Sequence, residues 1–337
     1  RPKSATFRTV DIVGLDTLVH VANGLNENCE NDERREVFKL PDFIATMMEK
    51  QWLGSKSGQG FYKKVKGEKG KSEILTLDLN TLEYRAKKRA QFDTLEKTKS
   101  INNLADRYPI LILGKDKAST FYRKNFGELF AYIQYRIPEI SDEVYRIDDA
   151  MKAGFGWTHG PFEIWDAIGL ETGVQLIKES GHKVAEWVIA MAKGNNQSFY
   201  ALEDGSLGFY DVESKKMNAI PGQSNFIILD HLRTSNTVWK NDECSLIDIG
   251  DGVLNVEFHS KMNTIGGGVL QGINKGIDVA EKDFQALVVG NQGANFSAGA
   301  NIGMIFMLAV EQEYDELNMA IKYFQDTMMR IRYSSIP

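Results

Sequence analysis

The stretch from Asn291 to Ile302 has the residue types that a site for a reacting carbonyl group needs. It reads Asn-Gln-Gly-Ala-Asn-Phe-Ser-Ala-Gly-Ala-Asn-Ile and follows a short apolar run, Ala286 to Val289. Small residues let a substrate approach the backbone closely. A strand end that leads into a helix start leaves N–H groups that can stabilise a developing oxyanion. The same composition is typical of a plain Gly/Ala turn that packs a helix onto a sheet, and the residues alone leave both interpretations open.

Other residues with chemical potential favour structural roles. Ile265 to Gly268 resembles a phosphate loop only loosely, because it lacks both the dinucleotide fingerprint and a following Gly-Lys-Ser/Thr. We therefore interpret it as a helix start that Asn263 or Thr264 caps. The histidines show no paired spacing and no G-x-S-x-G partner. Structural or surface positions are expected for the five histidines: His20, His159, His182, His231 and His259. Core positions, rather than a ligand cage, are expected for three aromatic residues: Trp157, Phe162 and Trp165.

A pattern that occurs twice precedes this stretch in the chain. The two sets of residues lie at a constant offset of 155 positions: Phe7, Asp11, Gly14, Leu15, Thr17 and Phe162, Asp166, Gly169, Leu170, Thr172. Downstream, Gly60-Phe61-Tyr62 is predicted to recur as Gly208-Phe209-Tyr210. Two similar blocks in the same order predict two copies of one domain, too long for a solenoid repeat.

The two copies read as helical, whereas the region after them does not. Apolar residues at helical spacing predict one helix before position 25, another over 40–53 and a long one over 117–135. From Cys244 the pattern predicts two strands, 245–249 and 253–258, with the hairpin signal Gly250-Asp251-Gly252 between them. A helix over 268–284 and a strand over 286–289 complete a βαβ unit, which should be parallel and right-handed.

Composition bounds the class of protein. The 337 residues predict two or three domains, and 42% hydrophobic and 26% charged residues are typical of a globular protein. A net charge of −6 disfavours general nucleic-acid binding. Cys29 and Cys244 lack metal-ligand spacing, so we expect no metal site and a reducing, cytoplasmic location. No membrane span is expected, because the longest apolar run, Met304 to Val310, is too short.

The repeated blocks resemble the C-terminal helical domain of 3-hydroxyacyl-CoA dehydrogenases. That family carries a P-F-x-x-x-D-x-x-G-L-D segment followed by a G-K-x-G-x-G-F-Y segment. Pro2 to Thr17 and Leu53 to Tyr62 are similar to the two segments, and Gly160 to Leu170 is closer still to the first. Two tandem copies are typical of multifunctional β-oxidation proteins.

Residues 244–337 are similar to the first half of an enoyl-CoA hydratase/isomerase (crotonase) domain. Phe296 to Ile302 matches that family's F-x-A-G-A-D-I segment, with Asn301 in place of the usual Asp. The resemblance implies that the backbone N–H of Ala298 is one arm of the oxyanion hole for a thioester carbonyl. Contact with the substrate is expected from four further residues: Ser297, Gly299, Ala300 and Asn263.

Together the resemblances imply a mostly α chain with a partial α/β domain, from a FadN-type bifunctional enzyme. We expect a first helical domain over 1–96, a second over 97–235 and the partial crotonase domain over 236–337. The parent protein would oxidise 3-hydroxyacyl-CoA with NAD and hydrate 2-enoyl-CoA. Its NAD-binding Rossmann domain and the second crotonase half would lie outside this chain, which has no cofactor-binding residues of its own, and it could form a homodimer.

Two alternatives stay open. The chain could be a helical scaffold or assembly module without catalysis. It could also belong to a crotonase-type isomerase or hydrolase whose helical domains are accessory. Binding of acyl-CoA would separate an enzyme from a scaffold, and the carboxylates opposite Ala298 would separate the crotonase reactions.

Overall fold

The chain divides into two compact units. The computed structural model describes residues 5–66, 72–101, 103–194, 197–203, 206–223, 225–293 and 295–337. The helical unit comprises residues 1–200 and 209–217, and the sheet unit comprises 201–208 and 218–337. Both helical copies therefore lie in one unit, and residues 218–235 join the sheet unit rather than the second copy, which was expected to extend to 235.

The first copy begins with two helices where one was expected. Gly14 separates them with φ +117°, a backbone conformation that residues with a Cβ rarely adopt. A third helix follows Pro41, and a small antiparallel sheet closes the copy. These elements are α1 (Thr6–Val13), α2 (Leu15–Asn28), α3 (Asp42–Glu49), β1 (Tyr62–Lys66), β2 (Ser72–Leu77) and β3 (Tyr84–Arg85). Short 3₁₀ turns lie at Arg35–Phe38 and Ser55–Ser57.

Helices then connect the first copy to the second. They are α4 (Asp93–Thr98), α5 (Arg107–Leu113), α6 (Lys117–Ile133), α7 (Arg136–Glu139) and α8 (Val144–Phe155). Asp116 caps α6, because its side chain accepts from the N–H of Ser119 at 3.0 Å. Glu143 is the N-cap of α8, and its own N–H donates to the Ser141 hydroxyl at 3.2 Å.

The second copy repeats the helical order of the first. Its elements are α9 (Pro161–Ile168), α10 (Leu170–Glu179), α11 (Glu186–Lys193), β4 (Tyr200–Glu203), β5 (Ser206–Asp211) and β6 (Lys216–Ala219). Gly169 separates α9 from α10 with φ +98° and ψ 138°, close to the 117° and 134° of Gly14. The repeat found in the sequence is therefore a repeat of backbone geometry.

The sheet unit has four strands in the order β10-β9-β8-β7. It contains α12 (Leu229–Leu232), β7 (Thr237–Lys240), β8 (Cys244–Asp248), β9 (Val253–Phe258), α13 (Gly267–Asp283), β10 (Ala286–Val289), α14 (Ile302–Val310) and α15 (Tyr314–Arg332). The predicted hairpin is confirmed, because β8 pairs antiparallel with β9, and so is the parallel pairing of β10 with β9. Strand β7 was not predicted. Across the described ranges, no helix has the length and apolar content to cross a membrane.

Helix α6 packs tightly on the second copy. Phe130 stacks on Trp165 with ring centroids 4.7 Å apart, and both side chains are fully buried, as expected for Trp165. Gly127 lies where α6 crosses α10. A Cβ at this position would meet the Ser180 hydroxyl and come within 2.5 Å of the Leu176 carbonyl oxygen. The close crossing therefore requires glycine in α6.

Replacement of this glycine should destabilise the helical unit. We expect Gly127→Ala to lower the free energy of unfolding by about 1–3 kcal/mol, because the two helices must separate. Gly154→Ala is the matched control, since Gly154 is also helical and a Cβ there meets nothing within 4 Å. It should be neutral or stabilise by about 0.5–1 kcal/mol. Urea denaturation of both variants measures this, and equal stabilities would contradict the packing described.

Candidate functional site

In each helical copy, one aspartate holds the two backbone amides that follow the last helix. Asp11 accepts from the N–H groups of Phe61 and Tyr62, both at 2.8 Å. Asp166 accepts from the N–H groups of Phe199 and Tyr200, also both at 2.8 Å. We call each arrangement an aspartate clamp. It ties the first helix of a copy to the start of its β-strands.

The clamps correct the predicted second half of the repeat. The counterpart of Phe61-Tyr62 is Phe199-Tyr200, and the prediction of Phe209-Tyr210 was wrong. Tyr210 instead donates its N–H to the Phe199 carbonyl at 2.7 Å, as Leu77 does to the Phe61 carbonyl at 2.9 Å. The prediction failed for two reasons. The second copy lacks the Gly-rich segment that precedes Phe61 in the first copy, and a similar tripeptide, Gly208-Phe209-Tyr210, lies in its next strand, β5.

A further aspartate, which the sequence analysis missed, supports the clamp of the second copy. Asp148 on α8 accepts from the N–H groups of Phe162 and Glu163 and from the hydroxyl of Tyr200, at 2.8–2.9 Å. Burial raises the pKa of Asp148 to about 7 and that of Asp166 to about 6, and the donated hydrogen bonds offset part of this effect. The signal was present, because Asp148 shares a helix face with Val144 and Tyr145, which are buried.

In the sheet unit, asparagines position the stretch after β10. Asn255 on β9 donates to the Gly290 carbonyl at 3.1 Å. Asn291 accepts from the N–H of Phe258 at 2.6 Å and donates to the Phe296 carbonyl at 2.7 Å. The two parallel strands thus bring 259–266 and 290–301 to the same edge of the sheet. Ala294 lies outside the described residues.

The structure brings the predicted substrate-contact residues together. Ser297 donates its hydroxyl to the Asn263 carbonyl at 2.6 Å and accepts from the Gly299 N–H at 3.0 Å. The Gly299 carbonyl accepts from Ile265 at 2.9 Å, and Ala300 bridges to Ile265. These residues are exposed or half-buried, so a ligand could reach them.

The N–H of Ala298, which the resemblance implies is an arm of an oxyanion hole, has an acceptor within the chain. It donates to the Met262 carbonyl oxygen at 3.1 Å. The reason is a left-handed turn, with φ +58° at Met262 and +53° at Asn263, which aims this carbonyl at the loop. Asn295, another residue that the prediction missed, donates its side-chain N–H to the same oxygen at 2.9 Å. Only its place in the stretch rich in small residues after β10 could have indicated a role.

The start of α13 does not fit the phosphates of NAD. The Glu243 carboxylate accepts from the Gly268 N–H at 3.0 Å, where an anion at a helix N-terminus would otherwise bind. A negative carboxylate at this place would repel a pyrophosphate. Capping of this helix by Asn263 or Thr264 was therefore wrong, because Gly266 is the N-cap and Glu243 supplies the acceptor.

Three histidines have polar neighbours but do not converge on a site. His159 lies 3.2 Å from the Tyr108 hydroxyl, His182 lies 3.1 Å from Glu128, and His259 lies 2.9 Å from the Ser245 hydroxyl. In the part of the chain that the structure describes, no three His, Cys, Asp or Glu side chains come together as a metal site would need.

Comparison with known proteins supports the family that the repeats indicated. Residues 2–64 and 130–203 match the family model of the 3-hydroxyacyl-CoA dehydrogenase C-terminal domain. The second match includes Phe199 and Tyr200 and ends before Phe209, in agreement with the two clamps.

Relatives align with the whole chain. A protein of Bacillus subtilis (strain 168), described as a probable 3-hydroxyacyl-CoA dehydrogenase, is 41% identical over 338 residues. A putative fatty acid oxidation complex trifunctional enzyme of Rickettsia felis is 24% identical over 336 residues. These alignments cover 100% and 99% of this chain but 42% of each relative. The chain thus spans less than half the length of these proteins.

The raised pKa of Asp148 predicts a distinct pH dependence of stability. Between about pH 4 and 7 the folded carboxyl keeps its proton while the unfolded one loses it, so this group contributes less stability as the pH rises. The unfolding free energy of the wild type, minus that of Asp148→Asn, should fall by about 1.4 kcal/mol per pH unit in this window.

Denaturation curves at several pH values measure the difference. Asp149→Asn, the exposed neighbour on the same helix, is the control and should show no such slope. A difference for Asp148→Asn that is flat or rises with pH would contradict burial as the dominant cause.

Proposed function

We propose that this chain is the central part of a fatty-acid β-oxidation enzyme that acts on acyl-CoA thioesters. The longer protein would oxidise 3-hydroxyacyl-CoA to 3-oxoacyl-CoA with NAD. It would also hydrate 2-enoyl-CoA through a crotonase domain that begins in the sheet unit. NAD would bind to a Rossmann domain outside this chain, since Glu243 takes the place of an anion at the start of α13.

The duplicated aspartate clamp is the observation that carries the dehydrogenase part. Its two forms coincide with the two segments that match the dehydrogenase C-terminal domain. In this proposal the first copy closes over the acyl-CoA beside the NAD domain, and the second copy is mainly structural. The name of the Bacillus relative agrees with this role.

An exposed apolar face on the first copy supports a partner domain before Arg1. Phe7 is 44% exposed and Val21 50%, whereas their counterparts Phe162 and Leu176 are 0% and 1% exposed. In the second copy, helix α6 packs on α9 and α10, which carry these counterparts. We infer that an equivalent helix of the longer protein covers α1 and α2, because an apolar face of this size is costly to leave in water.

Two features of the sheet unit support a crotonase half that continues after Pro337. The Pro337 carbonyl accepts from the N–H of Leu287 on the edge strand β10 at 2.9 Å, and Ile336 packs on the core. Helix α14 is entirely apolar, yet none of its residues is buried. A further layer of the same domain over α14 would remove this exposed surface from water.

The dehydrogenase reading is favoured over the two alternatives. A scaffold would not need the loop in which Ser297, Gly299 and Asn263 meet around the Ala298 amide. A crotonase-type isomerase or hydrolase would share this loop but would not oxidise 3-hydroxyacyl-CoA. The name of the Rickettsia relative, a fatty acid oxidation complex enzyme, agrees with a protein that joins both activities.

Activity assays on the 337-residue chain and on the longer protein test the proposal. The longer protein should form NADH from 3-hydroxybutyryl-CoA and should hydrate crotonyl-CoA, both followed by absorbance. The 337-residue chain should do neither, because in this proposal the Rossmann domain and the second half of the crotonase domain lie outside it. NADH formation by the short chain, or a longer protein inactive with both substrates, would refute the proposal.

A further inference from the structure

The start of helix α9 is closed by a carboxylate on the helix before it. Asp148 on α8 accepts from the N–H groups of Phe162 and Glu163 at 2.8 and 2.9 Å. The hydroxyl of Tyr200 donates to the same carboxylate at 2.8 Å. An α-helix leaves its first N–H groups without an acceptor in the helix itself. The buried Asp148 side chain therefore satisfies three donors at the start of the second copy.

The first copy contains the same three donors at its own start. The counterparts of the second-copy donors are Phe7, Arg8 and Tyr62. The Phe7 ring packs on Phe61 with ring centroids 4.6 Å apart. The matching pair in the second copy, Phe162 and Phe199, has centroids 5.0 Å apart. The donors therefore lie at matching places in the two copies.

The described residues of the first copy supply no acceptor equivalent to Asp148. The N-cap of α1 is Ala5, whose side chain cannot accept, and the first turn of α1 has no acidic residue. Among the residues that the structure describes, the Tyr62 hydroxyl has no hydrogen-bond partner either. The offset of 155 between the copies places the counterpart of Asp148 before Arg1.

The charges at the start of α1 favour an ionised acceptor. Burial raises the pKa of Asp148 to about 7, and the negative charge of Glu163 adds to this effect. The first copy has Arg8, an exposed cation, in place of Glu163. A carboxylate at the start of α1 would be attracted both by Arg8 and by the positive end of the helix dipole. The first copy therefore suits an ionised carboxylate better than the second copy does.

The surface beside these donors is apolar. Val13 is 55% exposed in the first copy, whereas its counterpart Ile168 is 8% exposed. In the second copy, α6 and α8 both pack on α9, so the helix that supplies the carboxylate also contributes to the cover. Apolar surface next to three donors fits an amphipathic helix that has an acidic residue on its apolar face. A free anion from solution would leave this surface in water.

We propose that a helix preceding Arg1 in the longer protein places one aspartate or glutamate against the first copy, where it accepts from the Phe7 and Arg8 amides and the Tyr62 hydroxyl. The proposal rests on the proposed function, which places a partner domain before Arg1, and adds the chemistry of the contact. The partner is a segment of the same polypeptide. It would complete the first copy as α8 completes the second.

Amide hydrogen exchange at Phe7 and Arg8 tests this contact. Both amides should exchange about tenfold more slowly in the longer protein than in the 337-residue chain, because a charged acceptor then holds them. In the longer protein, each Asp and Glu of the segment before Arg1 is replaced in turn by Asn or Gln. One of these substitutions should restore fast exchange at both amides and leave the amides of Phe162 and Glu163 unchanged.

The Tyr62 hydroxyl gives a second test that does not require the acidic residue to be known. Tyr62→Phe should speed exchange at Phe7 and Arg8 severalfold in the longer protein and should have no effect on these amides in the 337-residue chain. The reason is that the hydroxyl meets its acceptor only in the longer protein. Tyr200→Phe is the matched control, and it should speed exchange at the α9 amides that Asp148 holds in both proteins.

Two results would overturn the proposal. The first is equal exchange at Phe7 and Arg8 in the two proteins, or protection that no acidic substitution removes. The second is protection in the 337-residue chain that grows with its concentration, because a second copy of the chain would then cover α1. NADH formation from 3-hydroxybutyryl-CoA by the longer protein is followed separately. Activity without protected amides refutes the contact and leaves the proposed function standing, whereas protection without activity refutes the proposed function alone.

Discussion

The helical unit depends on one interaction made twice: a buried aspartate that accepts hydrogen bonds from two consecutive backbone amides. Asp11 and Asp166 each lie on the first helix of a copy, and each fixes the strand that starts after the third helix. Each of the two carboxylate oxygens accepts one N–H group, whereas a side-chain amide would place its own NH₂ donor against one of them. This explains why the aspartate recurs in the repeat while the loop between the helices and the strand differs in length.

The two helical copies have the same fold but differ in the elements that pack against them. In the second copy, Asp148 closes the start of α9, and the Phe130 ring stacks on Trp165 beneath it. In the first copy, the equivalent helices present Phe7 and Val21 to the surface. The same backbone is thus covered in the second copy and leaves apolar side chains exposed in the first. In the sheet unit, the apolar helix α14 is likewise without a buried residue.

Local signals made much of the fold predictable, and contacts between distant residues were not. The Gly250-Asp251-Gly252 turn fixed the β8–β9 hairpin, and apolar runs of the right length predicted α13 and β10. The sequence does not show which dipeptide of the second copy corresponds to Phe61-Tyr62. Phe199-Tyr200 and Phe209-Tyr210 are identical in sequence, and only the hydrogen bond to Asp166 distinguishes them. Similarly, the segment around Ala298 was found by its small residues. The Ala298 amide donates to the Met262 carbonyl because Met262 and Asn263 form a left-handed turn, and Met262 is not a residue type that favours this conformation.

The most direct measurement of the central claim is backbone amide exchange at Phe61, Tyr62, Phe199 and Tyr200 in Asp11→Asn and Asp166→Asn. The account predicts that all four amides are protected in the wild type. It further predicts that Asp11→Asn speeds exchange at Phe61 and Tyr62 alone, and Asp166→Asn at Phe199 and Tyr200 alone. Faster exchange at Phe209 and Tyr210 in Asp166→Asn, with Phe199 and Tyr200 unchanged, would contradict it.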